Sequence, residues 1–290
     1  MYQKLGLIGC GLMGGSFALA LRRAGLVRRI VGFSPSQTSL DKALAMGVID
    51  EQAAQPAWAV QGADLVLIAV PVEATESVLA SVAPALAAKV LVMDVGSTKV
   101  NVVAGARRAL KEKAACFVPT HPIAGKERAG VEHADADLYR DRLLVLTPSG
   151  DTALARSHEA TQIWEAIGSQ VVSLSPEQHD SAFAAVSHLP HLLAFAFINS
   201  VSQQALGQRY LELAGPGFRD FTRIAASEPK IWRDILLANR EEVLKQCLMF
   251  QDHLRHLSTL LASGDGESLQ ESIASASETR AHWQMNRPEV

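Results

Sequence analysis

Cysteine is scarce in this chain of 290 residues: there are 3, Cys10, Cys116 and Cys247, odd in number and far apart. That excludes a disulfide framework and a thiolate zinc site, and it points to a reducing, cytoplasmic location. An excess of either charge is also lacking. Lys and Arg number 27 against 30 Asp and Glu, a formal net charge of −3. Nucleic acid and anionic lipid require clustered cations to displace counterions, so neither is expected as a partner. The start, Met1-Tyr2-Gln3-Lys4, lacks the basic, apolar and small-residue succession of a signal peptide. No run approaches the ~20 apolar residues that cross a bilayer, so the expectation is a soluble protein acting on a small molecule, without a membrane. Internal repeats and low-complexity tracts are missing too.

What is present is length and apolar content. With 48% hydrophobic residues, the chain has enough for two ordinary domains of ~100–200 residues. Buried strands are predicted at 4–8, 29–33, 64–70, 90–95, 116–119 and 143–147, with helical spacing between them at 38–46, 73–88 and 100–113. Alternation of this kind predicts a mostly parallel α/β sheet covered on both faces. The pattern fades near 172. From Ser175 the spacing is helical through 183–204, 230–261 and 269–283, with Gly264-Asp265-Gly266 as a turn. The boundary is placed at 172–176, dividing residues 1–173 from 174–290. The apolar helix Leu189–Val201 is more than a small helical domain can bury, which predicts helices packed across a homodimer interface.

Gly9-Cys10-Gly11-Leu12-Met13-Gly14 follows the first strand and opens a helix, the setting in which a G-x-G-x-x-G pattern signals a dinucleotide site. Gly9 serves the tight turn, Gly11 the approach of a pyrophosphate, and Gly14 close helix packing, while the helix N-terminus offers free amides. An acid that accepts from the ribose 2′-hydroxyl is expected about 20 residues on. Ser34 stands there, and the segment to Asp41 holds no acid. Ser34, Ser36 and Gln37 supply donors without charge repulsion, which favours NADP over NAD. The cations that would have to reach a 2′-phosphate are Arg22, Arg23, Arg28 and Arg29. Val70 and Pro71, ending the strand at 64–70, are counted with the cofactor contacts.

Four segments carry polar residues too densely for packing alone. Asp94-Val-Gly96-Ser97-Thr98-Lys99 follows a strand, at the sheet edge where such folds bind ligands. Thr120-His121-Pro122-Ile-Ala-Gly125-Lys126-Glu127 does the same, and a His restrained before Pro faces the cleft. His179-Asp180 precedes Ser187-His188-Leu-Pro190-His191; no further ligand completes a metal spacing, so no metal is expected. Gly215-Pro216-Gly217-Phe-Arg219-Asp220-Phe-Thr-Arg223 offers two guanidinium groups suited to gripping a carboxylate.

In order and spacing these motifs, with Trp232 beyond them, resemble the prephenate/arogenate dehydrogenase family over nearly the whole chain. The resemblance implies a Rossmann-like N-terminal domain followed by an all-α dimerisation domain. It implies oxidative decarboxylation of prephenate or arogenate in tyrosine biosynthesis, with NADP, or NAD, as acceptor. His121 would take the proton of the ring hydroxyl and Ser97 would orient that hydroxyl. Arg223 would hold a substrate carboxylate, with His191, His179 and His188 in the pocket and Trp232 in its wall. Lys99 is expected to be a structural or cofactor-side contact, and Lys126 to touch the substrate side chain. Two other functions remain in competition. A β-hydroxyacid dehydrogenase shares the glycine-rich start but needs a helical Lys-x-x-x-Asn, which the helical region lacks. A non-catalytic NADP-sensing module would need only the first motif.

Overall fold

The computed structural model describes residues 1–126 and 128–284. Six parallel strands form the main sheet in the order β3-β2-β1-β4-β5-β6: β1 Tyr2–Ile8, β2 Val27–Phe33, β3 Glu51–Gln52, β4 Leu65–Ile68, β5 Leu91–Asp94 and β6 Phe117–Val118. Helices α1 Leu12–Arg23, α2 Gln37–Ala45, α3 Pro56–Val60, α4 Thr75–Val82 and α5 Val100–Leu110 alternate with them. The central strands β4 and, up to Asp94, β5 read as unbroken apolar runs because both faces are buried. On β1 and β4, Leu5, Leu7, Leu65 and Leu67 enter one core with Phe17 and Trp164, while Ile8, Val66 and Ile68 enter the other. Chain order reverses between β1 and β4, and their carboxyl ends frame the crevice where open α/β sheets take ligands.

The strand expected at 116–119 is divided. Pro119 has no N–H to give a ladder, so the chain leaves the main sheet there. Thr120–Pro122 becomes β7 of a second sheet, antiparallel to β8 Leu143–Leu146, which pairs in parallel with β9 Gln170–Ser173. This small sheet and α6 Leu154–Ala166 were not foreseen as separate elements. It turns His121 out of the main sheet and beside the crevice.

From Pro176 the described chain is helical: α7 Pro176–Phe183, a π turn at Ala184–His188, α8 Leu189–Ser202, α9 Gly207–Glu212, α10 Pro216–Thr222, α11 Pro229–Ala238, α12 Arg240–Ser263 and α13 Gly266–His282. Ser175 starts α7 with a capping box, its Oγ accepting from Gln178 N at 3.1 Å while Gln178 Oε1 accepts from Ser175 N at 2.9 Å. The run expected at 230–261 breaks at the buried Asn239.

Pro176–Ser202 is a continuous 27-residue helix, long and apolar enough by composition to cross a bilayer, which corrects the expectation that no run reaches that length. It seats His179, Asp180 and His188 in the interior and bonds to the start of α5, contacts that hydrocarbon does not supply. Helix α12 buries only Val243 along 24 residues, and α13 buries none.

Candidate active site

The glycine turn is built by exclusion. Gly9 has φ +101°, and a Cβ there would lie 2.1 Å from the Ala69 carbonyl oxygen; one on Gly14 would lie 2.2 Å from Gly9 O. Each therefore keeps β1, β4 and α1 in close contact. Gly11 differs, because its missing side chain would meet nothing within 4 Å. It opens on a groove of about 420 Å³, and α1 begins there with no side-chain cap on its amides. Tyr139 pins that turn by donating its hydroxyl to Met13 O at 2.7 Å. Free amides and an open approach are what a pyrophosphate requires, so the residues present fit a dinucleotide. Gly11, Leu12, Met13, Val70, Pro71, Ser97, Lys126 and Trp232 all line this groove.

At the ribose end, Ser34 closes β2 half-buried. Ser36 is already engaged as the N-cap of α2, accepting from Ser39 N. Gln37 donates to Asp41 Oδ1 at 2.8 Å and Gln52 Oε1 at 2.9 Å. The four arginines named for a 2′-phosphate are elsewhere: Arg22 and Arg23 end α1, Arg28 and Arg29 begin β2, and both places are at the opposite end of the sheet from Ser34. Arg22 pairs with Asp50 at 2.9 Å, Arg23 with Asp137 at 2.8 Å, and Arg29 with Glu51. The expectation that they serve the cofactor is corrected by strand direction alone.

Opposite the glycine turn, a buried network fixes the catalytic candidates. Lys99 Nζ, with its side chain 0% exposed, donates to Asp94 Oδ2 at 2.6 Å and Thr120 O at 2.7 Å. Thr120 N donates to Asp94 Oδ1 at 3.0 Å, and its hydroxyl donates to Asp94 O. The loop after β5, with Ser97, is thereby tied to β7, with His121. Lys99 thus braces the two loops from within the interior.

Behind His121 lies a chain of rings. His121 Nδ1 is 2.8 Å from His179 Nε2, and His179 Nδ1 is 2.8 Å from Asp180 Oδ1. The carboxylate also accepts from Lys99 N and Val100 N at 2.8 and 2.9 Å, capping α5 from outside. Phe183 packs on both imidazoles, with centroids 4.9 and 4.5 Å away. The π turn adds a residue to the helix and so rotates the chain beyond it, bringing His188 to the same interior as His179 although a regular helix would set positions nine apart on opposite sides. Asn239 donates to Asp180 O at 2.7 Å and, with its second N–H, to His188 Nδ1 at 3.1 Å. Burial pushes the pKa of His121 well below the usual imidazole value, helped by the charges of His179 and Lys99. Burial likewise lowers His179, against the opposing Asp180 hydrogen bond, and takes His188 down to about 4.

His191 stacks on Trp232 with centroids 3.5 Å apart and 18° between planes. Its Nδ1 lies 2.9 Å from Ser187 O and must donate to that carbonyl, leaving Nε2 as an acceptor. Burial lowers its pKa, and the charge of Arg223 adds to this. Arg223 follows α10 and is exposed. Lys126 reaches the groove but points its ammonium at Asp135 Oδ2, 3.0 Å away, and His133 O, 3.1 Å away, so the free cation expected toward the substrate is committed elsewhere. Glu127 lies outside the described residues. Sequence reasoning assigned no role to Asp94, Asn239 or the groove residue Arg128; a lone Asn inside an otherwise unbroken helical pattern was the available signal for Asn239.

Comparison with known proteins extends over this whole arrangement. Residues 17–173 match the family model described as prephenate dehydrogenase, nucleotide-binding domain, and residues 175–275 that of prephenate dehydrogenase, dimerization domain. The chain is 35% identical over 282 residues to the cyclohexadienyl dehydrogenase of Zymomonas mobilis, covering 97% of this chain and 96% of that one. It is 34% identical over 282 residues to the prephenate dehydrogenase of Bacillus subtilis, covering 97% and 76%. The crystal structure of prephenate dehydrogenase from Aquifex aeolicus with hydroxyphenyl propionate and NAD+ superposes with a TM-score of 0.90 at 36% identity, covering 96% and 97%.

Proposed function

The chain belongs to the prephenate dehydrogenase family of oxidoreductases, and on that premise we propose that it carries out the oxidative decarboxylation of prephenate or arogenate in tyrosine biosynthesis. The observation that carries this reading is the line of two 2.8 Å contacts from Asp180 through His179 to His121, from which the tautomer of His121 follows. Asp180 accepts, so His179 Nδ1 holds the proton and its Nε2 is bare. That bare nitrogen accepts from His121 Nδ1, which leaves His121 Nε2 as the unprotonated base at the sheet edge.

A bound nicotinamide dinucleotide supplies the hydride acceptor for the ring carbon. Gly11, Leu12 and Met13 would hold its pyrophosphate, Ser34 its ribose, and Val70 and Pro71 its inner edge. NADP is the expected form because no carboxylate stands at Ser34, and the same pocket admits NAD, the form bound in the Aquifex aeolicus relative. His121 Nε2 takes the ring hydroxyl proton, with Ser97 orienting that hydroxyl. Arg223 grips a substrate carboxylate bidentately, and His191 with Trp232 walls the ring. Loss of CO2 delivers an electron pair to the ring, and the phenolate oxygen recovers a proton from His121. The domains divide near residue 174, and the protein acts in the cytoplasm as a homodimer closed by its C-terminal helices, which explains why α12 buries so little of itself.

The test is the appearance of reduced nicotinamide absorbance with prephenate and arogenate, each against NADP and NAD. His121→Asn should lose about 10²–10⁴-fold in kcat with dinucleotide binding retained. Full activity in that variant removes His121 from the reaction, and a clear preference for NAD overturns the cofactor reading.

A further inference from the structure

His179 and Asp180 take no direct part in that reaction, yet they are more deeply enclosed than the base itself. His179 is 0% exposed and Asp180 3%, so a proton reaching them has no direct exit to water. The charged and titratable groups facing the His121–His179 pair come from every side. They are Lys99 at the entrance to α5, Asp94 at the end of β5, Asp180 on α7 and His188 in the π turn. Lys99 opposes positive charge on either ring. Asp180, however, touches His179 at 2.8 Å, one ring further from the substrate than His121. An imidazolium is therefore better placed on His179 than on His121.

We propose that His179 and Asp180 form a closed proton store behind His121: when His121 Nε2 takes the substrate hydroxyl proton, the proton on His121 Nδ1 passes to His179 Nε2, and the positive charge rests against Asp180. This rests on the reading of His121 as the base. Proton count is preserved, since one enters at Nε2 and one leaves at Nδ1. After CO2 departs, the same path runs backward and the phenolate regains its proton. A store without an outlet suits this chemistry, because conversion of the dienol to a phenol with loss of CO2 and a hydride releases no net proton. An enzyme that shed its proton to solvent at each turnover would need an exit from His179.

Two measurements test it. In protein labelled with ¹⁵N-histidine, free of substrate at neutral pH, His121 and His179 should both show the Nδ1–H tautomer, joined by one strongly deshielded N–H···N proton. An Nε2–H tautomer for either ring overturns the store. The second is kinetic, with prephenate and saturating dinucleotide. In His179→Gln the amide oxygen still accepts from His121 Nδ1 but takes no proton. We expect kcat to fall roughly 10–100-fold, less than for loss of the base, with KM for prephenate held within about twofold. The proton inventory in mixed H2O and D2O should change from bowed to linear. Asp180→Asn, checked for fold by dinucleotide fluorescence quenching, should move the acid limb of kcat/KM to lower pH, since the carboxylate that favours positive charge on His179 is gone. A merely structural role predicts lost kcat with an unmoved or raised limb, and that result refutes the store. If His121→Asn is inactive while His179→Gln matches wild type, the store alone fails; if His121→Asn is active, the base reading fails with it.

Discussion

Replacing Lys99 by Met removes the cation at the centre of the site without changing the bulk of the side chain. Two charged hydrogen bonds disappear, to Asp94 Oδ2 at 2.6 Å and to Thr120 O at 2.7 Å, and both acceptors are sealed from water. At ~1.5–3 kcal/mol for a hydrogen bond to a charged group, the loss is about 3–6 kcal/mol. Breaking a buried ion pair by removing one partner independently gives ~3–5 kcal/mol. In thermal unfolding that corresponds to a drop in Tm of roughly 10 °C, at ~2–4 °C per kcal/mol for a chain of this size. The activity profile adds a second reading with a definite sign. His121 is held neutral first by burial and then by the charges of His179 and Lys99. Without Lys99 its imidazolium is less disfavoured, its pKa rises toward the ordinary value, and the acid limb of kcat/KM moves up. This is opposite in direction to the shift expected for Asp180→Asn. A Tm within about 2 °C of wild type, or a limb that moves down, refutes the account of Lys99 as both brace and electrostatic guard.

Arg223→Ala should raise KM for prephenate about 10–100-fold, the equivalent of one charged hydrogen bond, while KM for the dinucleotide stays put. Equal rises in both would place Arg223 outside the substrate site. On α12, Leu244 and Leu248 are 61% and 63% exposed one turn apart, so in the proposed homodimer Leu248→Glu should leave a monomer in analytical ultracentrifugation, each copy losing about 1.5–3 kcal/mol of apolar burial. An unchanged dimer mass would show that this face is not the interface.

The parts of the fold legible in the sequence were those set by local pattern. Apolar runs such as Leu65–Ile68 and Leu91–Asp94 announced buried parallel strands, and glycines at 9, 11 and 14 announced the turn. The second sheet was hidden because β7 and β9 are only three and four residues long and continue runs that propensity alone joins to their neighbours. At Pro119 the missing N–H that ends a ladder was visible, but its consequence, a change of sheet, depends on a partner strand more than 20 residues away. The arginine expectation failed for a related reason: nearness in sequence to Ser34 says nothing about which end of a strand a residue occupies.

The site divides in the same way. His121, Ser97 and the His179–Asp180 pair stood out because polar residues next to apolar strands and helices need a reason to be there. Their connection did not, since His121 meets His179 across 58 residues and Asp180 meets Lys99 across 81. In a regular helix, His179 and His188 are half a turn out of phase, so helical spacing alone separates them onto different faces. Pro190 supplied a hint that the hydrogen-bond ladder is interrupted, because its ring removes one N–H from the helix. The π turn ending at His188 absorbs that interruption and rotates the residues after it by the amount the site requires. The irregularity that made the helix hard to read is thus what brings its histidines to one side, and straightening it should separate His188 from Asn239 before it disturbs the sheet.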